Sequence, residues 1–359
     1  MTVFWLILVV CLLALCQVAL YSRRGLKNIE YRRYFEKDRI FSGETVSLVE
    51  FIENNKLLPV PWLRAESAVS PHLRFGRQEN FNTQDQRFHR SIFFLGSFKR
   101  ITRRHRVTPD RRGIYDCSKV SLTVGDLLGL VAVSRDCLSS AKILVYPALT
   151  APGDLPSQAL KWQGEFSVRR WTDPDPILTT GVREYRSGDA LRDVNWAISA
   201  KMDELYVNQR DYTVEPQLLI LLNTQIRADL WSGMEPEEIE VIERGISLAA
   251  RLAAWGRENG MAPGLRANAG SVLPGSEELI SVDPDSRGLD AVLEALAVTK
   301  VEKRISFDAL MDAELARLTT GMDILCISAY WDGELEERAQ ALRRLGNEVS
   351  YIPIGGATV

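Results

Sequence analysis

The chain has 359 residues, of which 46% are hydrophobic and 25% are charged, and its formal net charge is −3. This composition is typical of a folded protein, and the length predicts two or three domains rather than one. So small a net charge excludes a global attraction to nucleic acid or to anionic lipid, so a charged partner would have to bind a local patch. The five cysteines have no spacing that indicates a disulfide framework or a zinc site.

The first predicted element is a membrane helix over residues 2–20, the uncharged segment TVFWLILVVCLLALCQVAL. At about 1.5 Å per residue, a helix of this length reaches across a hydrocarbon core of about 30 Å. The alternative is a cleaved signal peptide, but Met1-Thr2 offers no basic n-region and LALCQVALYS is a poor cleavage site. Leu15 before Cys16 also argues against a lipoprotein site, so we expect an uncleaved anchor.

Basic residues after this segment set the predicted orientation. They are Arg23, Arg24, Lys27, Arg32 and Arg33. No basic side chain precedes the segment, so the positive-inside rule predicts a single-pass cell-membrane protein with its soluble part in the cytoplasm. Residues 1–27 are therefore predicted to be the anchor and its basic flank.

Residues 28–149 are predicted to form a β-rich domain. Short alternating runs such as TVSLVEFIEN and KVSLTVGD, broken by turn residues, indicate antiparallel strands of a small β-sandwich-like domain. A basic group in this region comprises Arg100, Arg103, Arg104, His105, Arg106, Arg111 and Arg112. A solvated strand face is the favoured interpretation, and a docking patch for an acidic partner or lipid headgroups is the alternative. The group lacks interleaved aromatic residues, so we expect no nucleic-acid partner.

Residues 150–180 are rich in Pro, Gly and Asp, which predicts a linker or an extended crossing rather than a helix. In residues 181–211, Ser187-Gly188 predict a break, and Asp189 stands where a helix N-cap would stand. The predicted helix then carries apolar residues at helical spacing, namely Leu191, Val194, Ile198 and Met202. A strand is predicted around Tyr206 and Val207.

Residues 212–359 alternate predicted strands and helices, which indicates a doubly wound α/β domain with a mostly parallel sheet. The predicted strands are 216–223, a run from Asp323 and a run from Glu348, and the predicted helices are 237–258, 288–299, 307–318 and 334–345. The fold class is therefore a membrane helix, a β domain and an α/β domain.

The motifs of common enzymes are missing from the sequence. It contains no G-x-G-x-x-G, no Walker A loop, no G-x-S-x-G and no H-E-x-x-H. We therefore predict no catalytic residue and no cofactor. Ligands of open α/β sheets bind at the carboxyl ends of strands, where Thr224, Ser328 and Asp332 are weak candidates for a hard-cation site. Loop-tip hydration is the favoured role for these three side chains, and no metal is predicted.

The most informative segment is residues 181–211, and it has two interpretations. Its candidate site residues are Arg183, Tyr185, Gly188, Asp189, Arg192, Trp196 and Lys201. As a recognition surface, it would offer charged donors and amphipathic rings, which concentrate in interface hot spots. As an internal clamp, Asp189 would cap the helix, an arginine would pair with Asp189 or Asp193, and Trp196 would fill the gap between two domains. Physical reasoning alone favours the clamp.

The segment VREYRSGDALRDVNWAISAK resembles the signature of a bacterial family, the domain of unknown function 58 (DUF58), R-x-Y-x-x-G-D-x-x-R-x-[IV]-x-W-x-x-[ST]-A-[RK]. The matching residues are Arg183, Tyr185, Gly188, Asp189, Arg192, Val194, Trp196, Ser199, Ala200 and Lys201. The resemblance continues upstream through LLPVPWLRAE, RRGIYDCSKVSLTVGDLLGL and ILVYP.

This resemblance implies a membrane-anchored protein whose residues 212–359 form a von Willebrand factor A-like domain. It also implies partners, namely a MoxR-type AAA+ ATPase and other von Willebrand factor A-like proteins. The chain departs from the family in having one N-terminal span where two are common. It also has Asn223-Thr224-Gln225-Ile226-Arg227 where a metal-dependent adhesion site begins D-x-S-x-S.

The resulting hypothesis is a membrane-anchored, non-enzymatic scaffold or adaptor that acts with a MoxR-type AAA+ ATPase in complex assembly or maturation. The alternative is a metal-dependent adhesion module or hydrolase that uses the strand-end loops of the α/β domain. A third hypothesis is an envelope protein that is exported after cleavage of the first segment.

Overall fold

The computed structural model describes residues 2–76, 81–83, 86–172, 179–186, 189, 194–202, 204–210, 216–227, 235–273, 278–285 and 288–354. The chain divides into two compact units, Met1–Ala148 and Leu149–Val359. The first is rich in β-sheet and the second mixes helices with sheet, as predicted.

The N-terminal unit begins with helix α1 (Thr2–Arg24). From Val3 to Arg24, α1 is long and apolar enough to span a membrane. Its first residues have no protein around them, since Val3 to Val10 are exposed. The predicted N-terminal apolar helix is therefore present, and the side of the membrane on which the chain lies stays a prediction.

Two larger sheets and a smaller one follow α1. The first has the order β1 (Ile29–Phe35), β3 (Val46–Asn54), β8 (Arg100–Pro109), β5 (Leu73–Phe75). The second has the order β11 (Ala132–Leu138), β10 (Lys119–Gly125), β4 (Val60–Val69), β7 (Gln86–Leu95), β6 (Phe81–Thr83). The third joins β2 (Arg39–Phe41), β12 (Lys142–Tyr146) and β9 (Gly113–Asp116). The pairings are antiparallel apart from β2 with β12.

Alternating side chains of these strands form two apolar clusters in the N-terminal unit. One contains Leu48, Leu73 and Val107, and the other contains Ile52, Leu63 and Leu122. This division of inward and outward positions follows from the period of two along a strand. His105, predicted within the basic strand face, instead has an inward position on β8 and is only 6% exposed. Its neighbours Arg104 and Arg106 are exposed.

The C-terminal unit starts with a short 3-10 turn (Pro152–Asp154) and helix α2 (Ser157–Thr172). This helix corrects the prediction of a helix-free linker over residues 150–180. Trp162 and Phe166 are buried and pack against the ring of Trp255. Ala159, Trp162 and Phe166 fall on one helix face. The Pro and Gly residues at the start of the segment favoured a linker, so the helical spacing of these three apolar residues was not recognised in the sequence.

The central sheet of this unit has the order β17 (Leu279–Val282), β16 (Ala262–Ser271), β15 (Gln217–Leu222), β19 (Met322–Ser328), β20 (Glu348–Pro353), and β18 (Thr299–Lys303) also pairs with β16. The pairs among β16, β15, β19 and β20 are parallel, as predicted, and β17 and β18 pair antiparallel with β16. The helices that alternate with these strands are α4 (Pro236–Glu258), α5 (Gly288–Val298), α6 (Phe307–Ala316) and α7 (Gly333–Arg344).

Strand β16 was not predicted, although it is buried along its whole length. Its sequence, APGLRANAGS, contains few of the β-branched and aromatic residues that favour strands. Small residues are needed here because a Cβ on Gly264 would come within 2.7 Å of Pro284. Close packing therefore requires small residues in β16, and these residues do not give the sequence pattern by which a strand is predicted.

Candidate functional site

The DUF58-like segment, residues 181–211, is built on a two-stranded ribbon. Strand β13 (Thr179–Glu184) pairs antiparallel with β14 (Tyr206–Arg210), with Arg183 opposite Val207. Val194 also bridges to Val207, so the chain that returns toward β14 is fixed against the ribbon. Val194 and Val207 are both buried. The ribbon thus forms the base on which the other residues of the segment are held.

Asp189 closes the turn that follows β13. Its carboxylate accepts two hydrogen bonds from Arg183, at 2.8 and 2.7 Å, and one from the amide of Arg186 at 2.7 Å. The hydrogen bonds from Arg183 are the main reason why the pKa of Asp189 falls to about 2. The carboxylate is therefore ionised near pH 7. The predicted pairing of an arginine with Asp189 is present.

The helix of this segment starts later than predicted. Helix α3 covers only Trp196–Met202. Asn195 stands before it, where its side chain accepts from the amide of Ile198 at 3.2 Å. Asp189 instead binds the turn, so it does not cap this helix. Val194, which was expected on the helix, lies in the ribbon.

Ser199 ties α3 to β14. Its hydroxyl accepts from the amide of Tyr206 at 2.8 Å, and the amide of Asn195 donates to the carbonyl of Tyr206 at 2.8 Å. Ser199 is one of the buried residues of α3. A helix this short would be only marginally stable by itself. The hydrogen bonds to Tyr206 fix it against β14.

The candidate residues divide into a fixed base and an exposed surface. Arg183 and Asp189 belong to the base, and Tyr185 is half-buried. Trp196 is 64% exposed, and Lys201 is exposed on the same helix. The filling of a gap between two domains by Trp196 stays a prediction. Gly188 and Arg192 lie outside the described residues.

A second polar cluster, which we name the strand-end network, lies at the ends of β15 and β19 and against the inner part of β16. It consists of Asn223, Thr224, Gln225, Asn268 and Ser328, all of them buried. Asn268 accepts from the amide and the hydroxyl of Thr224 at 2.8 and 3.0 Å, and donates to Asn223 at 2.9 Å and to Gln225 at 3.2 Å.

The strand-end network continues to the neighbouring elements. Asn223 donates to the hydroxyl of Ser328 at 2.9 Å, and that hydroxyl donates to the carbonyl of Tyr330 at 2.6 Å. Gln225 accepts from the amide of Phe307 at 2.8 Å, at the start of α6. Protein groups therefore satisfy this buried cluster, as buried polar groups require.

The weak metal candidates do not come together as free oxygen ligands. Thr224 and Ser328 are members of the strand-end network, whereas Asp332 is exposed and caps α7 by accepting from the amide of Leu335 at 2.9 Å. Among the residues that the structure describes, no group of three or more His, Cys, Asp or Glu side chains could hold a metal ion. Amide groups fill the position where hard-cation ligands were considered.

The comparison with protein families concerns the part of the chain just described. Residues 181–314 match the family model "Protein of unknown function DUF58". This match supports the resemblance drawn from Arg183 to Lys201. It extends from β13 to α6, so both the DUF58-like segment and most of the strand-end network lie within it.

Comparisons with curated proteins and with solved structures do not indicate a function for the chain. No curated protein matches the chain. The CARDB domain of a Pyrococcus furiosus protein is similar at 13% identity, over 33% of this chain and 94% of that one, with a TM-score of 0.23. A cohesin module from Clostridium perfringens is similar at 12% identity, over 31% and 97% of the two chains, with a TM-score of 0.20. Similarities this low carry no functional argument.

Sequence reasoning missed a third cluster, which lies inside the N-terminal unit and which we name the sandwich network. It consists of Tyr31, Arg33, Glu50, Ser67, His89, Ser91 and His105, all of them buried. Glu50 is its centre, since it accepts from Tyr31 at 2.8 Å and from Ser91 at 2.6 Å, and lies 2.8 Å from Nε2 of His105. The cluster therefore joins β1, β3 and β8 of one sheet to β4 and β7 of the other.

Arg33 is the buried cation of the sandwich network. Its Nε lies 3.7 Å from Glu50, and its two terminal nitrogens bind Ser67 at 2.5 Å and Nδ1 of His89 at 3.2 Å. The ring of His89 stacks on Phe75 at 4.5 Å between centroids. A buried charge needs such a pairing because the interior does not solvate it.

The protonation states in this network follow from burial and from the paired charges. Burial opposes the ionisation of Glu50, but the hydrogen bond with His105 and the charge of Arg33 outweigh it and hold the pKa of Glu50 well below its ordinary value. Burial lowers the pKa of His89 to about 3. His89 is therefore neutral near pH 7, and its Nδ1 can accept from Arg33.

We expect the stability of the N-terminal unit to fall as the pH drops below about 6.5. The unfolded chain protonates His89 near that pH, whereas the folded chain does so only at about 3, so the unfolded state binds more protons in between. One such group contributes a slope of about 1.4 kcal/mol per pH unit. The depressed pKa of Glu50 adds a further loss below about pH 4.3.

The measurement is urea unfolding of the full chain in detergent between pH 5 and pH 7, followed by hydrogen exchange of peptides from the N-terminal unit. His89→Gln should flatten the slope in this range. His72→Gln removes a half-exposed histidine of the same unit and controls for the loss of a histidine as such. An unchanged slope in His89→Gln would contradict the assignment of this acid sensitivity to His89.

Proposed function

We propose that the chain is a membrane-anchored, non-enzymatic scaffold that presents its DUF58-like segment to a protein partner. The observation that carries this proposal is the exposure of Trp196, which is 64% exposed on a helix fixed at its start by Asn195 and along its length by Ser199. Large aromatic side chains held rigidly at a surface are typical anchors of protein interfaces.

The surroundings of Trp196 favour a protein partner. Met202 and Leu205, which follow in the same short segment, are 59% and 42% exposed. Lys201, which is exposed on the same helix, adds a charged donor to the segment. An aromatic side chain, aliphatic side chains and a positive charge exposed within one short segment are residue types found in interfaces with an apolar centre and a polar rim.

The partner that we propose is a MoxR-type AAA+ ATPase, with the complex acting in assembly or maturation of other proteins. The support is the DUF58 match over residues 181–314, because the resemblance to the DUF58 signature is the basis for expecting a MoxR-type ATPase as a partner. An ATPase partner requires the soluble part to lie where ATP is available. The basic residues after α1, among them Arg23 and Arg24, favour that cytoplasmic orientation.

We further propose that the C-terminal unit is a von Willebrand factor A-like domain that has lost its metal. Support comes from the parallel arrangement of β16, β15, β19 and β20 with intervening helices. In such a domain, the strand-end network would stand where the metal-dependent adhesion site begins, with Asn223 in place of its aspartate. Such a domain would recognise its partners through surface contacts and not through a bound cation.

Trp196→Ala is expected to weaken recovery of the partner while the protein stays folded. Loss of an interface anchor costs about 2 kcal/mol or more, or roughly 30-fold in affinity. The measurement is a crosslinking pull-down of the full chain from native membranes, with and without ATP depletion. Phe94→Ala is the matched control because Phe94 is 72% exposed on the β-sandwich, away from the DUF58-like segment in sequence.

Equal recovery from the Trp196→Ala and Phe94→Ala proteins would contradict the proposal. A thermal melt of each variant separates loss of binding from loss of structure, because a clamp residue would lower the melting temperature as well.

A further inference from the structure

The turn between β10 and β11, residues 126–131, displays an unusual set of apolar side chains. Leu127, Leu128 and Leu130 are 67%, 60% and 61% exposed. The turn is nevertheless compact, because the amide of Asp126 donates to the carbonyl of Val131 at 3.2 Å and the amide of Val131 donates to the Asp126 carboxylate at 3.1 Å. A well-formed turn that presents leucines to solvent has an apolar surface without a partner among the residues that the structure describes.

This leucine turn is attached to the apolar helix α1. Gln17 of α1 donates to the carboxylate of Asp126 at 3.0 Å. Further along the helix, the hydroxyl of Tyr21 donates to the carbonyl of Pro59 at 3.1 Å. Asp126 is only 1% exposed and its carboxylate binds both Gln17 and Val131. The carboxylate of Asp126, the charged group beside the leucines, therefore has hydrogen-bond donors from the protein.

The depth of this attachment along α1 is the decisive observation. Gln17 lies seven residues before Arg24, or about 10 Å along the helix. Ala14, Gln17 and Val18 are partly covered and Tyr21 is buried, whereas Leu13 and Leu15 are exposed. Positions 14, 17, 18 and 21 share one side of a helix. Protein therefore covers one side of α1 to about ten residues before Arg24, or about 15 Å.

The basic end of α1 marks the level of the lipid headgroups. Arg23 and Arg24 end the helix, and the ammonium group of Lys56 donates to the carbonyls of Arg24, Gly25 and Lys27 at 3.0, 2.5 and 2.8 Å. Basic side chains at the end of a membrane helix lie at the interface. A turn that contacts Gln17 is then deeper than this level, among the acyl chains.

Two neighbouring turns carry exposed apolar residues beside the end of α1. Leu57 follows Lys56 and is 76% exposed, and Phe98 is 67% exposed. The turns are joined, because the amide of Phe98 donates to the carbonyl of Lys56 at 3.3 Å and the hydroxyl of Ser97 donates to the carbonyl of Leu57. Leu57 and Phe98 therefore belong near headgroup depth.

From these contacts we propose that the leucine turn inserts into the lipid bilayer beside α1, with Leu57 and Phe98 at the membrane interface. This inference rests on the membrane anchoring in the proposed function and adds a second membrane contact to it. The occupant is lipid because α1, to which the turn is bound, is itself an apolar helix of membrane-spanning length. Burial of leucines at the acyl boundary is favourable, and the hydrogen bonds that the Asp126 carboxylate accepts from Gln17 and Val131 offset part of its polar cost.

The test uses the full chain in nanodiscs of phosphatidylethanolamine and phosphatidylglycerol, with an environment-sensitive fluorophore on a single accessible thiol. Cys11→Ala, Cys16→Ala and Cys137→Ala remove the native thiols that are exposed or partly exposed, and the remaining Cys117 and Cys326 are buried. Circular dichroism and a thermal melt first establish that this background is folded. The fluorophore is then attached in Leu128→Cys, and its quenching by spin-labelled acyl chains and by aqueous iodide is measured.

Two reference positions make the outcome interpretable. Leu12→Cys places the fluorophore on α1, where Leu12 is 61% exposed. Leu138→Cys places it on an 82% exposed leucine at the far end of β11, in the same hairpin as the turn. We expect a blue-shifted emission and loss of fluorescence to lipid-borne quencher at positions 12 and 128, and quenching by iodide at position 138.

Each other outcome contradicts the inference in a different way. Iodide quenching at position 128 like that at position 138 would place the turn in water. Protection from both quenchers would mean that protein, such as a second copy of the chain, covers the leucines. Absence of lipid quenching at position 12 would overturn the membrane anchor and with it the proposed function. Lipid quenching at position 12 alone would overturn only the inserted turn.

Discussion

Glu50→Ala is expected to destabilise the N-terminal unit by about 3–5 kcal/mol, the loss that follows when one partner of a buried ion pair is removed. The substitution leaves Arg33, whose side chain is fully buried, without its carboxylate. It also leaves the hydroxyls of Tyr31 and Ser91 without their acceptor. These groups are buried, so the substitution leaves them without their protein partner in the native state.

The matched control is Glu53→Ala on the same strand. Glu53 pairs with Arg100 at 3.1 Å, and the Arg100 side chain is 61% exposed. A pair in contact with solvent contributes about 1 kcal/mol or less. Urea unfolding of the full chain in detergent, with hydrogen exchange followed separately for each unit, measures both variants. Equal losses in the Glu50→Ala and Glu53→Ala proteins would show that the sandwich network does not hold the sheets together.

Asn268→Ala is expected to destabilise the C-terminal unit by about 2–4 kcal/mol. It removes the acceptor of the Thr224 amide and the donor to Asn223 and Gln225, at the centre of the buried strand-end network. The buried amide of Thr224 then has no acceptor, and a cavity remains where the side chain was.

Asn259→Ala provides the comparison for this variant. Asn259 ends α4, where its side chain donates to the carbonyl of Trp255 at 2.8 Å and is only half-buried. Loss of such a bond at a helix end costs about 1 kcal/mol. The readout is hydrogen exchange in urea for peptides of the C-terminal unit. A loss in Asn268→Ala no larger than in Asn259→Ala would contradict the central place of Asn268.

The elements with strong periodicity could be predicted from sequence. The long amphipathic pattern of α4 and the apolar runs of β15, β19 and β20 lie close to their predicted positions, because burial of one helix face or of a whole central strand leaves a clear pattern. The alternating strands of the N-terminal unit were recognised for the same reason. The mixed α/β character and the N-terminal apolar helix follow directly from these patterns.

The parts that escaped prediction depend on tertiary contacts. Strand β16 carries small residues because its neighbours pack closely, and α3 starts at Trp196 because Val194 pairs with Val207 in the ribbon. Neither contact can be inferred from the residues that are adjacent in sequence. Both features lie within residues 181–314, where the chain matches DUF58.

The sandwich network was hidden for a related reason. Arg33 lies opposite Glu50 only once the register between β1 and β3 is known. A signal was nevertheless present, since Arg33 occupies the inward parity of a strand whose other inward residues are Ile29, Tyr31 and Phe35. A charged residue at an inward position predicts a buried partner on a neighbouring strand.

The two buried networks and the exposed Trp196 have different roles in this account. The sandwich network and the strand-end network join buried side chains in the interiors of the two units. Neither exposes a reactive side chain to a substrate in the part of the chain that the structure describes. Protein binding is proposed at the DUF58-like segment, and lipid binding is proposed at the leucine turn.

Photo-crosslinking at position 196 in living cells tests the central claim most directly. A photoreactive amino acid replaces Trp196 in the full chain, a second protein carries it in place of Phe94, and the products are identified with and without ATP depletion. The account predicts products that contain an AAA+ ATPase from position 196, that depend on ATP, and that are missing from position 94. Products that are the same from both positions, or a position 196 that crosslinks only within its own chain, would contradict the presentation of this segment to a partner.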